Sequence, residues 1–224
     1  MRSSVAVALG MAMTALGASA AQAQATFYTV TYVEAAPNAT RQATALLKSY
    51  VAAGKKDDGN VSFELVKGIH RSAWFTVIGS WKDQKAFEAH VAAAHSKDMN
   101  DKIKAHVAAP NDTRQHSALS FAAAQSGKAS VCAVTHVDVI PPQRENGTAA
   151  VKQLAEDSRK HAGNIRFDVL VQTNRPNHFT VVECWKDRKA FDAHIGTKET
   201  KAFRDKLVGM TGALYDERLY KAVD

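Results

Sequence analysis

The sequence predicts an α+β fold: two ferredoxin-like β-α-β-β-α-β units packed sheet to sheet into one barrel within a single chain. Three observations lead there. The ten residues WKDQKAFEAH at 81–90 return as WKDRKAFDAH at 185–194, 104 positions later. At that same shift, residues 27–120 lie over 131–224 with 30 identities in 94 pairs and no gap, which marks a duplicated domain. Each copy then reads strand, helix, strand, strand, helix, strand, the order of the split βαβ plan.

The elements follow in order. YTVTYVEA (28–35) and CAVTHVDVI (132–140) are apolar strands, each followed by a turn with Pro37 or Pro141. Leu46, Leu47, Tyr50 and Val51 recur at helical spacing, and Val151 and Leu154 do the same in the second copy. Gly59 and Gly163 are placed to end that helix. Two strands come next, NVSFELVKG (60–68) and SAWFTVIGSW (72–81) in the first copy. Arg71 and Arg175 sit in the turns between the paired strands, the second written TNRPN. Asp83 and Asp187 are suited to cap the following helix, whose apolar face carries Ala86, Phe87, His90, Val91 and Ala94. ALYDERLYKA (213–222) closes the second copy as a strand. A four-stranded sheet of this kind has helices on one face only. Its other face is apolar here and needs a cover, which a second unit in the same chain supplies. The units are assigned to 26–120 and 131–224, joined by a small, polar linker at 121–130.

The N-terminus reads as a secretory leader over residues 1–23. Arg2 precedes an apolar run from Val5 to Leu16, then small residues with A-x-A sites, and cleavage is expected after Ala23. The run is too short to span a bilayer, and no later segment reaches the roughly 18 apolar residues a membrane helix needs. A periplasmic or secreted protein is expected, with no membrane span after cleavage. The formal charge of +7 comes from lysines scattered among acids rather than massed on one stretch, which argues against a nucleic-acid partner. Cys132 and Cys184 align with Tyr28 and Ser80, so they lie outside the shared plan. Export permits a bridge between them, spacing does not predict one, and two buried thiols are the favoured of the two readings. No CxxC, P-loop or G-x-G-x-x-G occurs.

The motif E-x-W-x-D-x-x-A-F-x-x-H is carried by Glu183, Trp185, Asp187, Ala190, Phe191 and His194. Trp81, Asp83, Ala86, Phe87 and His90 repeat it, with Gly79 where the second copy has Glu183. With G-N-x-x-F-[ED] after the first helix, the chain resembles the antibiotic biosynthesis monooxygenase (ABM) family of the dimeric α+β barrel superfamily, over nearly its whole mature length. The resemblance implies monooxygenases that use no metal or flavin and oxidise quinols, anthrones and related polyphenols with O₂. The substrate then supplies the electrons. The protein binds the ring in an apolar cavity, removes a proton and excludes water.

Of nine histidines, only His90 and His194 occupy equivalent positions. They are the candidates for general base, since imidazole titrates near neutral pH; the alternative is a helix histidine that serves the fold. Trp81 and Trp185 could stack on an aromatic ligand or belong to the core. Thr31 and Thr135 share a strand face with Val33 and Val137, taken here as the barrel lumen. Phe63 and Phe167 are lining or core. Glu183 and His136 are polar candidates particular to the second unit, although strand parity separates them. A zinc site is not expected, because His90 and His95 are five apart, a poor helical spacing for two ligands. Two other functions stay open: a haem-binding or haem-degrading protein, for which Thr31 and Thr135 replace the strand asparagine of such relatives, and a non-catalytic envelope module for small aromatic or apolar ligands. Further self-association of the pseudo-dimer is compatible with all three.

Overall fold

A computed structural model describes residues 27–223. The leader expected at 1–23 lies outside the described residues. Unit one comprises β1 (Phe27–Glu34), α1 (Thr40–Gly54), β2 (Asn60–Gly68), β3 (Trp74–Trp81), α2 (Gln84–Ala92), α3 (Ala94–Ile103) and β4 (Asp112–Ser120). Unit two repeats it as β5 (Val131–Asp138), α4 (Arg144–Ser158), β6 (Asn164–Gln172), β7 (His178–Trp185), α5 (Arg188–Ile195), α6 (Lys198–Val208) and β8 (Asp216–Ala222).

The eight strands close into one antiparallel barrel in the order β1-β3-β2-β8-β5-β7-β6-β4. Each unit contributes four neighbouring strands. Two seams join them: β2 pairs with β8 (Val66↔Ala222, Gly68↔Tyr220), and β4 pairs with β6 (His116↔Gln172, Ala118↔Leu170). The units are therefore hydrogen-bonded edge to edge as well as packed face to face, and among the described residues no strand edge is left open. Duplication supplies from one chain what would otherwise need two.

Strand alternation sends side chains to two different places. Tyr28, Val30, Val66 and Ile78 of unit one meet Val134, Leu170, Val182 and Tyr220 of unit two inside the barrel. Phe27, Val33, Phe63, Leu65, Phe75, Val77 and Trp81 face outward against α1, α2 and α3. Val137, Phe167, Val169, Phe179, Val181 and Trp185 face α4, α5 and α6 in the same way. Thr31 shares this outward, helix-covered face with Val33, so its assignment to the lumen is corrected, and with it that of Thr135. Both faces of each sheet are apolar, and alternation fixes which residues share a face without saying which face is inside.

Two other expectations are also corrected. Gly59 and Gly163 do not end a helix, since α1 and α4 stop at Gly54 and Ser158. They hold positive φ (+76° and +83°) at the entry to β2 and β6, and a Cβ there would lie 2.6 Å from the Cβ of Ala86 or Ala190. That contact explains why the glycine and the alanine recur together. The single second helix is two helices in each unit, broken at extended residues Ala93 and Thr197. Asp83 and Asp187 are the expected caps, each Oδ1 accepting the N–H of Ala86 or Ala190 at 2.8 Å.

Cys132 and Cys184 are bonded to each other, which overturns the reading of two free thiols. They are direct cross-strand partners in the β5–β7 register. The segment 121–130 is tied down as well. Phe121 packs on Tyr28 with ring centres 4.8 Å apart, Gln125 N–H bonds Ile165 O, and Ser130 N–H bonds Trp185 O.

Candidate functional site

Between the sheet and the helices of unit one lies a cavity of about 330 Å³. Val33, Leu47, Phe63, Val77, Phe87 and Met99 supply its apolar lining. Thr29, Thr31, Asn100, Asn111, Thr113 and Gln115 supply polar groups, and Tyr50 and His90 complete it. A mixed lining of this kind and volume suits a small ring compound, whose few polar groups are fixed by a few convergent partners. Asn111 Oδ1 is buried without a hydrogen-bond partner, and the Thr31 and Thr113 hydroxyls are 3.0 Å apart.

His90 reaches the cavity from the end of α2 and is 1% exposed. Its ring lies 4.5 Å from Trp81 and 5.0 Å from Phe63, centre to centre. Gly54 makes this packing possible, because a Cβ there would be 2.8 Å from the Phe63 ring and 3.0 Å from His90 Cε1. Both ring nitrogens are engaged. Nδ1 is 2.6 Å from Asp57 Oδ2, and Nε2 is 2.7 Å from the Tyr50 hydroxyl. A carboxylate only accepts, so Nδ1 carries the proton and Nε2 accepts from Tyr50. Burial lowers the His90 pKa below the ordinary value; Asp57 opposes that shift without cancelling it. Burial likewise pushes Tyr50 up to about 12. The resting site is thus a neutral imidazole with its lone pair directed at a tyrosine O–H.

Unit two has the same scaffold and different chemistry. His194 is buried and lies 4.5 Å from Trp185, as His90 does from Trp81. Its Nδ1 faces His161 Nδ1 at 3.0 Å, where unit one has Asp57. Leu154 stands where Tyr50 does, so there is no hydroxyl at that position. Tyr215, Glu217 and Arg204 replace Asn111, Thr113 and Asn100, with Arg204 bonded to Glu217 at 2.9 Å. Thr135 is 0% exposed, against the cavity-lining Thr31. Burial, His161 and Arg204 together depress His194 to about 3.

Glu183 explains much of this divergence. In unit one, Trp81 Nε1–H donates to Thr29 Oγ1 at 3.2 Å, and Gly79 leaves room for it, since a Cβ would lie 2.5 Å from that hydroxyl. In unit two the threonine becomes Ala133 and the glycine becomes Glu183, whose Oε2 accepts from Trp185 Nε1 at 2.7 Å. The buried Glu183 is pushed up to about 8 by desolvation and lies 3.5 Å from His194 Nε2. His136, by contrast, is not in this group. It faces His178, with Nε2 3.2 Å from His178 Nδ1.

The structure therefore brings His90, Phe63 and Thr31 to one cavity, with Trp81 buried behind His90, and buries His194, Trp185, Phe167, Glu183 and Thr135 at the equivalent place in unit two. Sequence reasoning missed Asp57, Tyr50 and Asn111. Tyr50 reads in sequence only as one of the helically spaced positions, and Asp57 lies in the charged stretch KKDDG, which carries no motif. His90 and His95 are five apart in sequence, yet the break at Ala93 lets both reach Asp57 Oδ2, at 2.6 and 3.1 Å. Among the described residues, two groups have ligand atoms close enough to hold a metal: Asp57, His90 and His95, and His136, Asp138 and His178.

The chain is a helix-covered α+β barrel with a cavity of about 330 Å³ between sheet and helices and a buried histidine on its wall. The family model for antibiotic biosynthesis monooxygenases matches this sequence twice, over residues 26–102 and 130–206, and the chain belongs to that family. A Bacillus subtilis (strain 168) protein named "Putative monooxygenase YcnE" is 29% identical over 68 residues, 30% of this chain and 72% of the relative. A Fusobacterium nucleatum structure described as a "Putative monooxygenase" superposes with a TM-score of 0.77 at 15% identity, over 89% of this chain and 93% of the other. An anthrone oxidase-like protein superposes with a TM-score of 0.70 at 13% identity, over 91% and 93%. At those identities the structural likeness speaks to the fold.

Proposed function

We propose that the chain is an exported monooxygenase whose working site is the unit-one cavity. It oxidises small quinol or polyphenol-type aromatics with O₂ and uses no metal or flavin. The observation that carries the reading is His90, buried and neutral beside an aromatic-sized cavity, held by Asp57 on one nitrogen and by Tyr50 on the other. A substrate phenol passes its proton to the Tyr50 oxygen as the Tyr50 proton moves to His90 Nε2. Asp57 stabilises the resulting imidazolium through Nδ1–H. The phenolate left in the cavity is electron-rich enough to reduce O₂. For a hydroquinone, one ring C–H becomes C–OH and both phenols become carbonyls. The substrate loses four electrons; one oxygen atom stays in the product and the other leaves as water. The volume of about 330 Å³ favours one or two rings over a larger polycycle.

Export is part of the proposal, because a bonded cysteine pair is typical of oxidising compartments. The haem reading is not adopted, because both nitrogens of His90 are already hydrogen-bonded, to Asp57 and to Tyr50, and neither is free for iron.

Oxygen uptake by the purified mature protein with a panel of hydroquinones, followed by product mass analysis under ¹⁸O₂, tests the reading. Uptake well above the autoxidation blank, with one labelled atom in the product, is expected. Uptake equal to the blank across the panel, with saturable binding of the same compounds, would instead make the unit a non-catalytic binding module.

A further inference from the structure

We propose that His136, Asp138 and His178 form a binding site for one divalent first-row transition-metal ion, separate from the unit-one cavity. The three residues lie on neighbouring antiparallel strands. Asp138 is the direct cross-strand partner of His178, and His136 is two positions along β5 on the same face. Their ligand atoms all lie within 4.8 Å of one another. His136 Nε2 is 3.2 Å from His178 Nδ1, the nitrogen that would ligate, while Asp138 Oδ1 now lies 3.3 Å from the other nitrogen of that ring, Nε2, and would turn to the ion. Donors about 2.0–2.1 Å from a tetrahedral ion are about 3.3–3.4 Å apart, so the two imidazoles already have ligand spacing. Two histidines and one carboxylate suit zinc, cobalt(II) or iron(II) and leave coordination positions open. The group borders a polar cavity of about 600 Å³, through which an ion and its waters can enter.

The surrounding charge is mixed. Arg114 and Arg175 line the same cavity and oppose a cation, while Asp138 and Asp112 favour one, and Asp112 pairs with Arg114 at 2.7 Å.

Comparison with unit one sharpens the case. The same three positions there are Tyr32, Glu34 and Trp74. Trp74 is stacked by Arg71 and Arg218, at 4.2 and 4.6 Å, and Tyr32 by Arg114 and Arg218, at 4.8 and 5.2 Å. In unit one the two aromatic positions pack against cations. In unit two all three are ligand-type residues whose ligand atoms lie within 4.8 Å of one another. The other candidate group, Asp57, His90 and His95, is already used by the hydrogen bonds of the cavity site.

The two proposals are independent: unit one can be inert while this site binds, and the reverse. The test uses tag-free mature protein with its cysteine pair intact, stripped by chelator and then titrated with Zn²⁺ by calorimetry and with Co²⁺ by visible absorption. One ion per chain is expected. Affinity should fall roughly 100-fold or more in His178→Ala and in Asp138→Asn, beyond what outer-shell changes usually do. It should be unchanged in Asp57→Asn/His95→Ala. If His178→Ala does not fold, His136→Tyr/His178→Trp installs the residues of unit one, and its melting curve reports folding. Absence of saturable one-to-one binding would overturn the proposal. So would an affinity unmoved by the ligand variants, or one lost with Asp57→Asn/His95→Ala.

Discussion

At position 50 unit one has a tyrosine, and at the equivalent 154 unit two has a leucine; at 57 and 161 the pair is aspartate and histidine. These two exchanges decide which buried histidine has both an orienting acceptor and a proton path. Replacing Tyr50 with Phe should lower kcat about 100-fold with little change in KM, the usual scale of a lost proton-transfer group. The pH profile follows from the direction of the His90 shift. In the proposed reaction the neutral ring is the base, and its pKa is lowered, so activity should be flat through neutrality and fall only on the acid side, below the ordinary histidine range. Asp57 raises that pKa, so Asp57→Asn should move the acid limb to still lower pH while reducing the rate. A limb that moved upward would contradict the assignment. The indole pairings give a second residue-scale test. Gly79→Glu alone should destabilise by about 2 kcal/mol by overfilling the space beside Thr29. Thr29→Ala/Gly79→Glu should recover about 1 kcal/mol in a double-mutant cycle, since it copies Ala133 and Glu183. Denaturant melts of the four proteins measure this, and strict additivity would refute the coupling.

Among the elements, the strands, the first helix and the Asp83 and Asp187 caps were legible from periodicity and cap chemistry. The break at Ala93 was not, because it falls inside the run Ala92 to Ala94, whose composition favours a continuous helix. That break matters, since it brings His95 back to Asp57. The glycines were legible as punctuation but assigned the wrong task. Gly59 combines positive φ with a contact to Ala86, so Gly59→Ala should cost about 2 kcal/mol. Thermal melting should show the loss, and a neutral result would mean the β2 entry can move away from α2. The candidate histidines and tryptophans were legible because the duplication repeats them. Their partners were not, because Asp57, Tyr50 and Asn111 belong to one unit only.

For the whole molecule, the repeat told of the two units and the barrel, and hid which face of the sheet is inside. Filling the lumen with Tyr28, Tyr220 and their neighbours leaves the cavity on the helix side, where the sequence reading had not looked. The cysteine pair was within reach of the same reasoning, because 132 and 184 share the register of 28 and 80. Spanning 52 residues, the bridge should contribute about 4 kcal/mol by loop-closure entropy. Thiol titration of unreduced, denatured protein should find no free cysteine, and Cys132→Ser/Cys184→Ser should melt earlier. Two titratable thiols would refute the bond.

The central claim is that duplication left one working cavity, in unit one. Oxygen uptake by His90→Ala and His194→Ala, measured side by side on a quinol that the wild type oxidises, tests it most directly. The account predicts that His90→Ala falls to the autoxidation blank while folded His194→Ala keeps most of the wild-type rate. Loss confined to His194→Ala, or undiminished uptake in His90→Ala, would contradict it.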